Sequence, residues 1–135
     1  MSMNIYITNM DKDRIEKIMD KMSESQRLSD ESAKKLIKEI SRAVVVDSKK
    51  VSEDVITMNS KALLQLNDED MEVSLVYPEE ADFSSMKLSV FSPIGTAILG
   101  YQEGSTVEWE VPSGKTKIYI KKIVYQPEAA GHYHL

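Results

Sequence analysis

The stretch Lys87 to Gly104, KLSVFSPIGTAILGYQEG, leaves its backbone less freedom than any other part of this chain. Its first residues are β-prone, and Ser92 then offers an oxygen to the free amides of a helix's first turn. Pro93 follows at the first helical position, where a missing N–H costs nothing. Ile94, Ala97 and Ile98 share one helical face, and Gly100 is placed to close the helix in a left-handed conformation. Strand, capped short helix and turn succeed one another without slack. That is a folding nucleus rather than a catalytic loop.

Before this nucleus the apolar spacing is helical. Asn4 to Ile7 is short and β-prone, and Thr8-Asn-Met-Asp11 forms a capping-box-like start with a carboxylate near the helix N-terminus. Ile15, Ile18, Met19 and Met22 then fall at i, i+3, i+4, i+7. Ser23 to Ser29 is polar and breaks the pattern. A second helix starts near Ser29 or Asp30, with Ala33, Leu36, Ile37, Ile40 and Val44 as its stripe. Two such helices, each about 20–24 Å long, predict an antiparallel hairpin whose base also packs on the rest of the chain.

After the linker Asp47 to Asp54 the period becomes two. Lys61–Leu66, Met71–Tyr77, Lys87–Phe91, Thr106–Val111 and Lys115–Tyr125 read as strands, separated by the acidic loop Pro78–Ser85 and the turn Pro112–Gly114. In the fourth, Val107, Trp109 and Val111 face inward and Glu108 and Glu110 outward. In the last, Ile118, Ile120 and either Ile123 or Val124 are apolar, with Lys117 and Lys121 exposed. Trp109 and Tyr77 read as core. The class is therefore α+β: a helical hairpin over residues 1–50 and a sheet domain with one short helix over 51–135.

Charge narrows the partners. The net charge of −5 divides into +2 over residues 11–50, −10 over 51–112, and four lysines near the end with Glu128. A −10 centre repels phosphate, which argues against direct nucleic-acid binding and for a basic patch on a protein partner. Cysteine is absent, no apolar run approaches the length of a membrane span, and the first residues lack a signal-peptide pattern; a cytoplasmic protein is expected. His132 and His134 sit at i, i+2 without a third ligand, so no metal site is expected. Gly95, Gly100 and Gly104 match no phosphate-binding loop, and no nucleophile falls into a triad pattern, so neither cofactor nor catalysis is expected.

The order Ser-Pro-x-Gly-x-Ala-x-Leu-Gly, then a Gly-led turn, a strand and Pro-Ser-Gly, resembles the C-terminal domain of the Gre-type transcription elongation factors. The segments Asp54-Val-Ile-Thr-Met-Asn-Ser60 and Tyr125-Gln-Pro-Glu-Ala-Ala-Gly131 resemble the Rnk-type branch, short-armed relatives called regulators of nucleoside diphosphate kinase. The resemblance implies an FKBP-like fold, a bent antiparallel sheet around one helix, preceded by a short coiled-coil hairpin. It implies a non-enzymatic regulator that binds RNA polymerase near the secondary channel and competes with Gre-type factors. The contact residues it implies are Ser92, Pro93, Ile94, Gly95 and Gly100, with Glu24, Arg27, Asp30 and Glu31 at the hairpin tip.

In the Gre-type family an acidic pair at the tip of a long arm helps hold the polymerase's catalytic Mg²⁺. Here Ser23-Glu-Ser-Gln-Arg-Leu-Ser29 has no matching pair, Arg27 sits in its middle, and the arm is shorter. Transcript cleavage is therefore not expected. An FKBP-like fold does not by itself license prolyl isomerisation. The alternative is a regulator of nucleoside diphosphate kinase or nucleotide metabolism acting through another protein partner, with the acidic loops Asn67–Glu72 and Glu79–Asp82 as its recognition surface.

Overall fold

A computed structural model describes residues 5–21, 31–66, 68–111 and 114–132. Strand β1 (Tyr6–Thr8) leads directly into helix α1 (Asn9–Lys21). The Asp11 N–H donates to the Thr8 hydroxyl at 3.0 Å, the capping contact that the spacing predicts. Asp11, Ile15 and Met19 form the buried face of α1. Ile18 is half-buried, and Met22 lies outside the described residues.

Helix α2 (Glu31–Arg42) buries Ala33, Leu36 and Ile40 and leaves Ile37 exposed. Val44, read as the end of its stripe, has instead left the helix. It opens strand β2 (Val44–Val46), which pairs in parallel with β1 in the register Tyr6↔Val44, Ile7↔Val45, Thr8↔Val46. Three successive β-branched side chains favour extended backbone, and β1 supplies a ladder, so the helical spacing is overridden.

The main sheet has the order β5-β4-β3-β7-β6, formed by β3 (Lys61–Leu66), β4 (Glu69–Val76), β5 (Lys87–Ser89), β6 (Thr106–Val111) and β7 (Gly114–Tyr125). The expected antiparallel pairing holds for β4–β3, β3–β7 and β7–β6, whereas β5 joins β4 in parallel. The connection Tyr77–Met86, with 3₁₀ turns at Pro78–Glu80 and Phe83–Ser85, is long enough to carry the chain back to Ser74, where β5 pairs with the last three residues of β4.

Register shifts in the β3–β7 ladder pair Leu63 with Lys122 but Leu64 with Ile120, and Lys61 with Tyr125 but Ala62 with Ile123. Lys121 and Val124 are thus the extra residues of two bulges. This settles the end of β7: Ile123 packs against the core, and Val124 is exposed. Val107 is buried on β6 as expected; the side chains of Trp109, Glu110 and Val111 lie outside the description.

Helix α3 (Pro93–Ile98) packs beside the sheet. One hydrophobic cluster joins Ile7 of β1, Ile15 and Met19 of α1, and Leu36 and Ile40 of α2 to Leu64, Leu75, Ile98, Ile118 and Ile120. The described parts of both long helices therefore bury their stripes in the same core as the sheet. No helix among the described residues is long and apolar enough to cross a membrane.

Candidate functional site

The segment Ser89–Gly100 is built on short hydroxyl contacts. The Gly95 N–H donates to Ser92 Oγ at 3.2 Å, which makes Ser92 the N-cap of α3, with Pro93 next in line. Ser92 Oγ in turn donates to the Ser89 carbonyl at 2.6 Å, and Thr96 Oγ1 donates to the Val90 carbonyl at 2.6 Å. A Cβ on Gly95 would lie 2.1 Å from the Ser89 carbonyl oxygen, so the turn closes only over glycine. Gly100 has φ +85°, as its helix-closing role requires.

Gly100 also does something the sequence pattern does not announce. Its N–H donates to the Ile56 carbonyl at 2.9 Å, and its own carbonyl accepts the Tyr6 N–H at 3.1 Å. A Cβ there would meet the Tyr6 carbonyl at 2.8 Å. The end of α3 is therefore the point where β1, and with it the N-terminal part, docks on the sheet.

Of the five contact residues expected on this segment, Gly95 and Gly100 are buried and serve the fold. Pro93 is exposed, while Ser92 and Ile94 are half-buried, so these three reach the surface. Glu24, Arg27 and Asp30 lie outside the described residues. Glu31 opens α2, and its side chain is not described. The structure brings the α3 residues together but does not speak to the tip.

The two flanking motifs meet in space. Gln126 donates through Nε2 to the carbonyls of Ser52 and Val55, both at 2.7 Å. Thr57 Oγ1 donates to Glu128 Oε1 at 2.6 Å and shares a contact with Ser60 Oγ. Next to them lies Asp11, only 1% exposed, whose Oδ2 accepts the Met58 N–H at 3.0 Å and whose Oδ1 accepts the Tyr77 hydroxyl at 3.4 Å. Burial, with the charge of Glu128 nearby, pushes the Asp11 carboxyl up to about 6, against the pull of the Met58 and Thr8 hydrogen bonds. Burial likewise raises the Tyr77 hydroxyl.

Asp11 thus ties α1 to the 57–60 turn and to the end of β4. A reading of Asp11 as a capping residue alone misses this. The signal was present: Asp11 stands at i with Ile15 at i+4 and Met19 at i+8, a carboxylate on an apolar stripe. At the other end, His132 packs on Tyr125, its Nδ1 2.6 Å from the hydroxyl, and His134 lies outside the described residues. Among the described residues, no group of three or more His, Asp or Glu side chains could hold a metal ion.

Comparison with known proteins gives two family matches that meet near the linker. Residues 51–125 match "Transcription elongation factor, GreA/GreB, C-term", and residues 4–46 match "Rnk N-terminus". The chain is 40% identical over 100 residues to the "Regulator of nucleoside diphosphate kinase" of Escherichia coli (strain K12), covering 72% of this chain and 74% of that one. It is 40% identical over 83 residues to "Transcription elongation factor GreA" of Clostridium perfringens (strain SM101 / Type A), covering 60% of this chain and 52% of the relative. A solved structure, "Prokaryotic transcription elongation factor GreA/GreB from Nitrosomonas europaea", superposes with a TM-score of 0.73 at 31% identity, covering 92% of this chain and 100% of that one.

Proposed function

Because the chain belongs to the GreA/GreB family, with an Rnk-type N-terminus joined to the family's C-terminal region, we propose that it regulates transcription by binding RNA polymerase near the secondary channel. In this reading it acts without catalysis in the cytoplasm, competes with Gre-type factors for the site, and does not stimulate transcript cleavage. The five-stranded sheet with α3 is read as the FKBP-like docking unit, residues 51–135, and residues 1–50 as a short coiled-coil hairpin.

The observation that carries this reading is the seating of the two described helices. Helix α1 has 13 residues and α2 has 12, which at about 1.5 Å per residue gives roughly 20 Å each. Ile15, Met19, Leu36 and Ile40 spend that length in the common core. Among the described residues little of either helix is left to project as an arm, and the segment Ser23–Ser29 holds Glu24 as its single acid. A protein of this shape can occupy a channel mouth and exclude a competitor. Supplying carboxylates to a metal deep inside the channel needs a longer reach and a second acid.

The test is binding of the full chain to core RNA polymerase, with a GreA-type factor as competitor and a stalled elongation complex as substrate. Saturable binding that the competitor displaces, with no gain in transcript cleavage, is expected. Absence of binding at high micromolar concentration sinks the proposal. The name of the E. coli relative makes nucleoside diphosphate kinase the natural second partner to assay in that event.

A further inference from the structure

A cavity of about 270 Å³ opens where the N-terminal part, the linker and the sheet side of the chain meet. Tyr6 of β1 and Val46 of β2 form one wall, Lys50 to Ser52 of the linker a second, and Val55 with Gln102 a third. Each wall is tied down. Tyr6 and Val46 belong to the β1–β2 ladder, and Val55 and Gln102 form an antiparallel bridge. Gln126 holds the carbonyls of Ser52 and Val55, and the Lys50 N–H donates to the Asp47 carbonyl at 2.8 Å. The hollow is therefore set by the fold before anything enters it, as in most small-molecule sites.

Its lining is mostly apolar, with the branched side chains of Val46, Val51 and Val55. Three other lining residues carry polar groups that have no partner among the described residues: the Tyr6 hydroxyl, the Lys50 ammonium and the Gln102 amide. The Ser52 hydroxyl is already spent on Asp54. One cation and two neutral hydrogen-bonding groups around an apolar hollow suit an apolar body that ends in a single negative charge. The surroundings cap that charge at one. Asp47 to Asp54 carries three carboxylates against two lysines, and Glu103 adjoins Gln102. A diphosphate or triphosphate would bring more negative charge than Lys50 can offset among those acids. Ligand cavities usually measure roughly 300–1,000 Å³, so this one takes a body no larger than one ring or a short branched chain.

We propose that this cavity binds a small monocarboxylate with an aromatic or branched apolar body, the carboxylate on Lys50 and the body among Val46, Val51 and Val55. A ligand seated there touches β1, β2, the linker and the Val55–Gln102 bridge at once, and stabilises their joint by mass action. The site stands apart from α3 and does not depend on polymerase binding.

The experiment titrates the full chain with benzoate, 3-methylbutanoate, the neutral isostere benzamide and inorganic pyrophosphate, and follows backbone amide resonances by nuclear magnetic resonance. Saturable shifts at Val46, Val51, Val55 and Gln102 are expected with at least one of the two acids. Benzamide is expected to bind roughly fivefold more weakly than benzoate, the worth of an exposed charge pair. Lys50→Met, a change at an exposed position, should bring benzoate down to the level of benzamide and leave benzamide unaltered. Thermal melting without ligand serves as the folding control. If neither acid gives saturable shifts at those residues, the proposal falls. Equal binding of benzoate and benzamide, undiminished benzoate binding by Lys50→Met, or tighter binding of pyrophosphate would overturn it too.

Discussion

Asp11 is a carboxylate placed where burial resists its charge and a single backbone N–H welcomes it. Its ordinary value is 3.8, and in the folded protein it is pushed up to about 6. The folded state therefore holds the proton more tightly than the unfolded chain does. Below 3.8 both states are protonated and the contribution is complete; as pH rises through about 6 it is lost, on the order of 3 kcal/mol. Asp11→Asn keeps an oxygen for the Met58 N–H and removes the titration. The wild type should lose melting temperature relative to this variant between roughly pH 4 and pH 6, and level off above that range. Parallel pH profiles for the two proteins would show that Asp11 titrates normally.

At the scale of elements, Gly100 joins two structures that the sequence presents as separate. It ends α3, and its N–H and carbonyl bond to Ile56 and Tyr6 respectively. Gly100→Ala should destabilise the protein by about 2 kcal/mol or more, since a left-handed alanine is strained and its Cβ would press on the Tyr6 carbonyl. Melting within a degree of the wild type would contradict that. The helix-closing half of this role was legible, because Ser-Pro at one end and Leu-Gly at the other are local chemistry. The docking half was not, since it depends on a strand more than ninety residues away in sequence. The same division runs through the other elements. Strand positions followed from alternation, while the parallel β5, the bulges at Lys121 and Val124 and the departure of Val44 from α2 depend on neighbours that only the fold supplies. Of the candidate contacts that the resemblance implies on this segment, Ser92, Pro93 and Ile94 reach the surface, whereas Gly95 and Gly100 are buried joints of the fold.

For the molecule as a whole, the seam between its two family matches is bridged at two points, and the chain just beyond it is held at a third. Asp11 reaches over from α1, Gly100 receives β1, and Gln126 and Glu128 clasp residues 52–57 from the far end of the chain. Gln126→Ala would leave the Val55 carbonyl without its donor and the Ser52 carbonyl with only the Val55 N–H at 3.3 Å, a loss of about 1–3 kcal/mol. Chemical denaturation should show it as a lower midpoint with an unchanged slope. A lower slope would mean instead that the N-terminal part had come loose from the sheet.

That clasp also sets a timetable for the newborn protein. The donors for Ser52 and Val55 lie 74 and 71 residues downstream. At roughly 5–20 residues per second, a ribosome delivers them some 4–15 seconds after the carbonyls they satisfy. Through that interval the first helices and strands can gather, but Ser52 and Val55 lack the Gln126 amide. The nascent chain can therefore close this contact only after Gln126 has been added.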